Sequence, residues 1–442
     1  MPPHRDGQLS AGTSLATRSC RISDVSFRSF LAGRPAPRIY WTTPDGLEIA
    51  ASGAVARLTA NRVSRFDSVR EQARDLFVSL DSDGGPEATR PRLFGGFSFH
   101  AEHEPTPPWD GFPGAEFVLP RVQLTRTDTE TWLTVSCRDA TRDEIETTLT
   151  DLRAELAELP EMRPRGEAPG VESTRHTTSR EEWGEQVRRA TERIRAGELQ
   201  KVVLATALEV ELENPIAVLD TLERLRTSYP DCYRFLFEPS TDSGFFGAPP
   251  ERLVSLTGQT VETEALAGSI ARGETPEEDD ELAEQLADSE KVREEHELVA
   301  ETIRDGLEPL ASSVLVGDRR LKRLSNIQHL QTPISAELDG DKHVLSVVEA
   351  LHPTPAVGGL PPENAKRTIR ETETFDRGWY ASPVGWFDAD GDGEFAVGIR
   401  SGVAADSRVT LFGGNGIVAD SNPDDEWDEV QLKFLPILDE LE

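Results

Sequence analysis

Residues 233–265 read YRFLFEPSTDSGFFGAPPERLVSLTGQTVETEA, and this stretch decides the fold class. Four short runs, 233–237, 244–247, 252–256 and 260–265, carry Phe, Val, Leu and Thr. Pro, Ser, Asp and Gly separate them. Runs this short, bounded by turn residues, read as strands. Strand therefore follows strand with no helix between. Helices appear elsewhere without regular βαβ alternation, which argues for an α+β fold rather than a doubly wound one.

Working outward, 215–229 reads as a helix with Pro215 in its first turn. The apolar run 201–212 reads as β. Before it, the capping box Ser179-Arg-Glu-Glu182 opens a helix that ends near Gly197. Residues 160–170 hold three Pro and two Gly and read as a linker or long loop. It divides a β-rich region, 1–170, from a second region, 171–442, against which the first is expected to pack. In the first region, strands are expected within 38–58, at 92–100, 117–124 and 131–137. A helix is expected at 66–80, and a capping box at Thr141-Arg-Asp-Glu144 opens another that runs to Leu159. Residues 1–20 read as loose. Downstream, 276–310 reads as one long acidic helix and 344–351 as a short one. Strands are expected at 384–388, 395–402 and 408–412, and a last helix at 424–441. No repeat period is present.

Charge narrows the function classes. The 442 residues carry 47 Lys+Arg and 80 Asp+Glu, a net charge of −33. A nucleic-acid partner is excluded, because binding needs cations that displace phosphate counterions. An anionic membrane surface would repel the chain too. No apolar run is long enough to span a bilayer, and 1–10 do not read as a secretory signal. Only six of the 47 basic residues are Lys (201, 291, 322, 342, 366 and 433). An acid-rich, lysine-poor composition resembles that of proteins from extreme halophiles, where strong salt screens carboxylate repulsion. Cys20, Cys137 and Cys232 are widely spaced and form neither a disulfide framework nor a thiolate metal site. A reduced, cytoplasmic setting is expected.

Several groups could carry chemistry. Asp388-Ala-Asp390-Gly-Asp392-Gly393 fits the first half of a calcium loop, but the twelfth position is Ile399 rather than Glu, so a hairpin turn is the better reading. Phe412-Gly-Gly-Asn-Gly-Ile417 lacks the following helix of a dinucleotide loop. It reads equally as a tight turn or as an anion-binding backbone. Glu294, Glu295 and Glu297 lie on the long acidic helix, and Glu426 and Glu429 share a face of the last one. Carboxylates from two helices suit Mg²⁺ better than Zn²⁺, although a solvated acidic surface is the simpler reading. Lys201 opens an apolar strand, where a depressed pKa would make it a base. His329 and His352, taken singly, read as structural.

Ten motifs occur in order: Gly197-Glu-Leu-Gln-Lys-Val-Val-Leu204, Gly247-Ala-Pro-Pro-Glu-Arg-Leu253, Thr263-Glu-Ala-Leu-Ala-Gly-Ser269, Ser289-Glu-Lys-Val-Arg-Glu-Glu-His-Glu-Leu298, Ile327-Gln-His-Leu330, Leu351-His-Pro-Thr-Pro-Ala356, Trp379-Tyr-Ala381, Gly398-Ile-Arg-Ser401, Gly413-Gly-Asn-Gly-Ile-Val418 and Glu426-Trp-Asp-Glu-Val-Gln-Leu-Lys433. Together they resemble the chorismate-utilising enzymes, most closely the isochorismate synthases, over about 180–442. That resemblance implies a large antiparallel, sandwich-like β core flanked by helices. It implies water attack at C2 of chorismate and loss of the C4 hydroxyl, with Lys201 as base and Glu251 as acid. As an acid Glu251 needs a raised pKa. It further implies Mg²⁺ on Glu295 and Glu429, with Glu426 acting directly or through water. Arg400, Tyr380 and Lys433, helped by amides near Gly414 and Gly416, would clamp the enolpyruvyl carboxylate. Gly268 and Ser269 would meet the ring carboxylate, and His329 would line the pocket.

Residue types separate the relatives. Anthranilate synthases typically carry Gln where this chain has Lys201. Aminodeoxychorismate synthases commonly carry Lys where it has Ala267. Both comparisons favour water as nucleophile. Salicylate synthase, which also uses a lysine base, is the enzymatic alternative, and a non-catalytic acidic cation-binding protein is the alternative of another class. Two departures stand out. Many relatives have an acid at the position of Val292, and the usual Ala-Gly-Ala-Gly turn reads Gly413-Gly-Asn-Gly416, where the Asn415 side chain is expected to alter the pocket edge. A monomer feeding menaquinone synthesis, with no obligatory protein partner, completes the expectation.

Overall fold

The computed structural model describes residues 14–160, 165–323 and 327–442. Among them the strands form two sheets, of thirteen and ten strands, neither closed into a barrel. Pairing is antiparallel throughout apart from Leu15–Thr17 against Leu80–Ser82. The 233–265 stretch supplies strands to both. Arg234–Glu238 and Gly244–Gly247 lie in the larger sheet, Arg252–Thr257 and Thr260–Ala271 in the smaller. The chain before 160 is interleaved in both sheets as well. Arg38–Thr42 pairs with Arg234–Glu238, and Arg92–Phe97 pairs with Pro383–Asp388.

Side-chain alternation explains the layers. Ile39, Trp41, Ile49 and Ala51 point into a core shared by the two sheets, while Tyr40 and Ala50 point into a second core on the other face. Helices Phe27–Ala32, Arg142–Ala157 and Val218–Ser228 cover that second face. Helices Arg65–Phe77, Glu290–Leu307 and Val344–Leu351 pack on the smaller sheet. The inter-sheet core centres on rings from distant segments. Trp379 stacks on Phe237 at 5.3 Å and meets Phe112 edge-on at 5.3 Å, and Trp109 stacks on Phe412 at 5.2 Å. Such pairs add about 1 kcal/mol each beyond burial, and here they fix the segments that frame the pocket described below.

Both capping boxes form. The Thr141 and Ser179 hydroxyls accept from the amides of Glu144 and Glu182, whose carboxylates accept from the cap backbones in return. The 388–393 segment is the expected hairpin turn, closed by the Asp388 amide donating to the Asp392 carbonyl.

Other expectations change. Residues 15–20, read as loose, lie in the strand Leu15–Ile22, whose polar alternation is satisfied by pairing with Thr131–Arg138; 1–13 lie outside the described residues. The acidic stretch is two helices, Pro276–Asp288 and Glu290–Leu307, because Ser289 leaves helical ψ and caps the second. The 424–441 stretch breaks at Lys433 into Pro423–Leu432 and Leu435–Leu438. Residues 412–417 are no tight turn: they continue the strand Arg408–Ile417, paired residue for residue with Lys201–Leu212. The expected strand 395–402 is interrupted between Val397 and Ser401, where Arg400 takes φ +46°. The sequence reading assigned no helix or strand to 311–343, which holds the strands Ala311–Val316, Arg320–Arg323 and Ile327–Leu338. Part of the expected 160–170 linker, 161–164, lies outside the described residues. The rest is tied down, with the Gly166 amide on Asp220 and the Gly170 amide on the Leu441 carbonyl.

Candidate active site

A cavity of about 590 Å³ opens between the Lys201 end of Lys201–Leu212, the glycines of Arg408–Ile417, and the helices Glu290–Leu307 and Pro423–Leu432. It gathers Lys201, Glu251, Gly268, Glu295, His329, Tyr380, Arg400, Gly414, Gly416, Glu426, Glu429 and Lys433. Ser269 follows Gly268 on the strand Thr260–Ala271, but its side chain lies outside the described residues.

Lys201 stands on a wall made for it. A Cβ placed on Gly416 would fall 2.7 Å from Lys201 Cε, so the absent side chain is what lets the ammonium lie across the sheet. Its Nζ reaches Glu295 Oε1 at 2.5 Å. Glu251 follows the prolines of the link into Arg252–Thr257, and its carbonyl accepts from the Val397 amide. Its side chain is buried. Burial first, then the charge of Glu264, push its carboxyl up to about 8, against a smaller pull from Lys322 and Lys201. Glu264 itself holds Lys322 Nζ at 2.8 Å. The pocket thus brings an amine at a strand end together with a carboxylic acid that stays protonated near neutral pH.

The bulge between Ala267 and Ser269 re-aims the backbone at Gly268. Gly268 has φ +75°, and a Cβ there would come within 2.2 Å of Val292 Cγ1, so glycine is required twice over. Val292 packs an apolar methyl onto that bulge. His296 ties helix to bulge, Nδ1 on the Ala267 carbonyl and Nε2 on the Thr332 hydroxyl. Burial, then the charges of Arg400 and Lys433, hold His329 down to about 3, so it is a neutral ring. Tyr380 stacks on Phe412 at 5.3 Å, and burial pushes its phenol above the ordinary range. Ala381 and Arg400 both take positive φ, +59° and +46°, a strain that concentrates at functional sites. The Arg400 guanidinium lies against Cys232 Sγ and over the Tyr229 ring.

The carboxylate donors come from two helices. Glu429 pairs with Lys433 at 3.2 Å. Glu426 accepts from the Asn415 amide, and burial together with the Glu429 charge pushes it up. Carboxylates from two helices, all offering hard oxygens, fit a divalent cation such as Mg²⁺. The tightest carboxylate trio among the described residues lies elsewhere, at Asp388, Asp390 and Asp392. Arg90 bonds all three at 3.0–3.2 Å, so that cluster already holds its cation. Asn415 lines the pocket, and its side chain turns to helix Pro423–Leu432, donating to the Glu426 carbonyl at 2.6 Å.

A family model, the chorismate binding enzyme, matches residues 8–442. The chain belongs to the chorismate-binding enzymes. It is 35% identical to isochorismate synthase MenF of Bacillus subtilis, over 91% of this chain and 88% of that one. It is 36% identical to the salicylate biosynthesis isochorismate synthase of Pseudomonas aeruginosa, over 91% of this chain and 84% of the relative. Among solved structures, MenF, the menaquinone-specific isochorismate synthase of Escherichia coli, superposes with a TM-score of 0.82 at 26% identity, covering 98% of this chain and 95% of that one. Anthranilate synthase component I of Streptococcus pneumoniae shares the fold, with a TM-score of 0.76 at 22% identity over 90% and 93% of the two chains.

In this chorismate-binding enzyme the sequence reading missed Glu373, Arg377 and His296. Arg377 lines the pocket, and a charged pair spaced i, i+4 just before the Trp379-Tyr-Ala381 motif was the available signal. His296 lay inside a quoted motif, between carboxylates that drew the attention.

Proposed function

We propose that the protein is an isochorismate synthase. One observation carries the reading: Lys201 and a Glu251 carboxyl held protonated to about pH 8 share one pocket with the remaining motif residues. The high-coverage similarity to isochorismate synthases supports it.

In this reading the Lys201 side chain, as the free amine, takes a proton from water, and the water oxygen bonds C2 of chorismate. Both ring double bonds shift, from C1–C2 and C5–C6 to C1–C6 and C4–C5, and the C4–O bond breaks. Glu251 gives its proton to that oxygen, which leaves as water, so one water enters and one departs. Each transfer of this kind is worth about 10²–10⁴ in rate. Arg400 offers a forked contact to the enolpyruvyl carboxylate, with Tyr380 and Lys433 beside it. Gly414 and Gly416 keep that wall flat. The Gly268 bulge offers an amide to the ring carboxylate. Glu295 and Glu429 would hold Mg²⁺, with Glu426 in direct or water-mediated contact. Mg²⁺ would neutralise the ring carboxylate beside the site's own glutamates. We place the product in menaquinone synthesis and the enzyme, as a monomer, in the cytoplasm. No helix among the described residues is long and apolar enough to cross a membrane.

Product analysis tests this reading. The purified protein in molar KCl, given chorismate and Mg²⁺, should yield isochorismate by chromatography, and EDTA should stop it. Salicylate plus pyruvate would instead assign a salicylate synthase.

A further inference from the structure

The strand that carries Lys201 is paired unevenly. One edge is bonded to Arg408–Ile417 from Val202 to Glu211. On the other edge, Gly359–Leu360 covers Lys201 and Val202, and Val171–His176 covers 208–212, with Thr177 bonding Ala207. Between those partners a stretch two residues from Lys201 has no neighbouring strand. Two side chains take its place. Arg377 Nη2 donates to the Val203 carbonyl at 2.7 Å, and Glu373 Oε1 accepts from the Ala205 amide at 2.8 Å. A carbonyl and an amide two residues apart on one edge are what an adjacent strand would satisfy.

The two side chains are joined to each other, Arg377 Nε to Glu373 Oε2 at 2.9 Å and Nη2 to Oε1 at 2.5 Å. Both are almost wholly buried, 1% and 2% exposed. The remaining Arg377 nitrogen donates to the Val357 carbonyl at 2.9 Å, and the guanidinium lies over the Phe99 ring at 4.4 Å. The Arg377 carbonyl accepts from the Tyr380 amide at 2.9 Å, so the same residue anchors the turn that carries Tyr380. A buried ion pair gains little net stability, because desolvation offsets most of its attraction. Its value here is direction.

We infer that Glu373 and Arg377 are positioning residues, a side-chain substitute for a missing strand that holds Lys201 and Tyr380 in register across the pocket. The inference rests on the reading of Lys201 as the base, and it adds to that machinery two buried residues that act through the groups they hold.

The test combines R377A, R377K and E373Q with two readouts: steady-state kinetics on chorismate, and amide exchange across 201–207. In R377A, kcat should fall about 10²-fold while KM stays within about threefold, the loss expected when a catalytic group is displaced by an ångström. Added guanidinium at low millimolar concentration should restore part of it, and R377K should recover less than a fork can give. E373Q keeps an oxygen for the Ala205 amide but loses the charge that holds Arg377, so it should fall between parent and R377A. Exchange at Ala205 should quicken in R377A with distant strands unchanged. An unaltered kcat with Ala205 still protected would overturn the inference. So would a parallel fall of kcat, substrate affinity and melting temperature that guanidinium does not relieve. If the parent makes no isochorismate, the functional reading fails, and the exchange data still decide whether the pair holds the strand.

Discussion

One side of the pocket is sheet and another is helix, and they hold their functional groups by different means. On the sheet side, Lys201 pairs with Leu360, the next residue Val202 pairs with strands on both edges, and Gly416 leaves the Lys201 side chain its room. On the helix side, Glu295 is paired with Lys201, Glu429 with Lys433, and Glu426 with Asn415. The Lys201 side chain is 11% exposed, whereas Glu429 is 52% exposed. Exposed pairs are worth about 0–1 kcal/mol and exchange readily. The difference teaches a division of labour: the sheet fixes the groups proposed for proton transfer, and the helices carry the carboxylates proposed to trade one cation for another.

Breaking the sheet side should cost most. Lys201→Ala should lower kcat by about 10³-fold or more, with chorismate affinity by calorimetry nearly unchanged; equal losses in both would make Lys201 only a binding residue. Glu251→Gln should cost about 10²–10³ in kcat and remove the alkaline limb of the pH profile. In the parent that limb should lie near pH 8, where Glu251 loses its proton. The sign for stability is opposite. A carboxyl whose pKa is raised by folding costs stability as pH climbs from the ordinary range through about 8. Glu251→Gln should therefore melt higher than the parent above pH 8.

On the helix side, Glu429→Gln should raise the Mg²⁺ concentration for half-maximal activity by about 10-fold or more, while kcat at saturating Mg²⁺ falls less. A subtler probe returns to the sheet. Gly416→Ala puts a methyl 2.7 Å from Lys201 Cε in ordinary strand backbone. It should lower kcat about tenfold and leave the Mg²⁺ requirement alone. The smallest effect is global. With a net charge of −33, the protein should melt several degrees lower in dilute buffer than in molar KCl, because salt screens the carboxylates. Equal melting in both would remove the halophile reading.

The sequence was most legible where a local signal had a local cause. The capping boxes at Thr141 and Ser179, the Asp-rich hairpin and the four runs of 233–265 all formed as read, because turn and cap chemistry acts within a few residues. The pocket residues were legible through ordered motifs rather than through any one position. Long-range pairing was not. The strand Ile327–Leu338 is polar enough at Gln328, His329, Gln331 and Thr332 to hide its character, and only its partner Thr260–Ala271 makes it a strand. The glycines at 413–416 suggested a turn because their reason lies across the sheet, in Lys201 and Tyr380. Glu373 and Arg377 escaped because their backbone partners, Val203 and Ala205, are some 170 residues away.

The central claim is that the sheet wall delivers solvent water to C2. Turnover of chorismate with Mg²⁺ in ¹⁸O-enriched water tests it most directly. Isochorismate carrying one ¹⁸O, located at C2 by fragment mass spectrometry and absent from the Lys201→Ala reaction, is the predicted result. Isochorismate formed without label would mean that the C4 oxygen is carried across the ring, and would contradict the account.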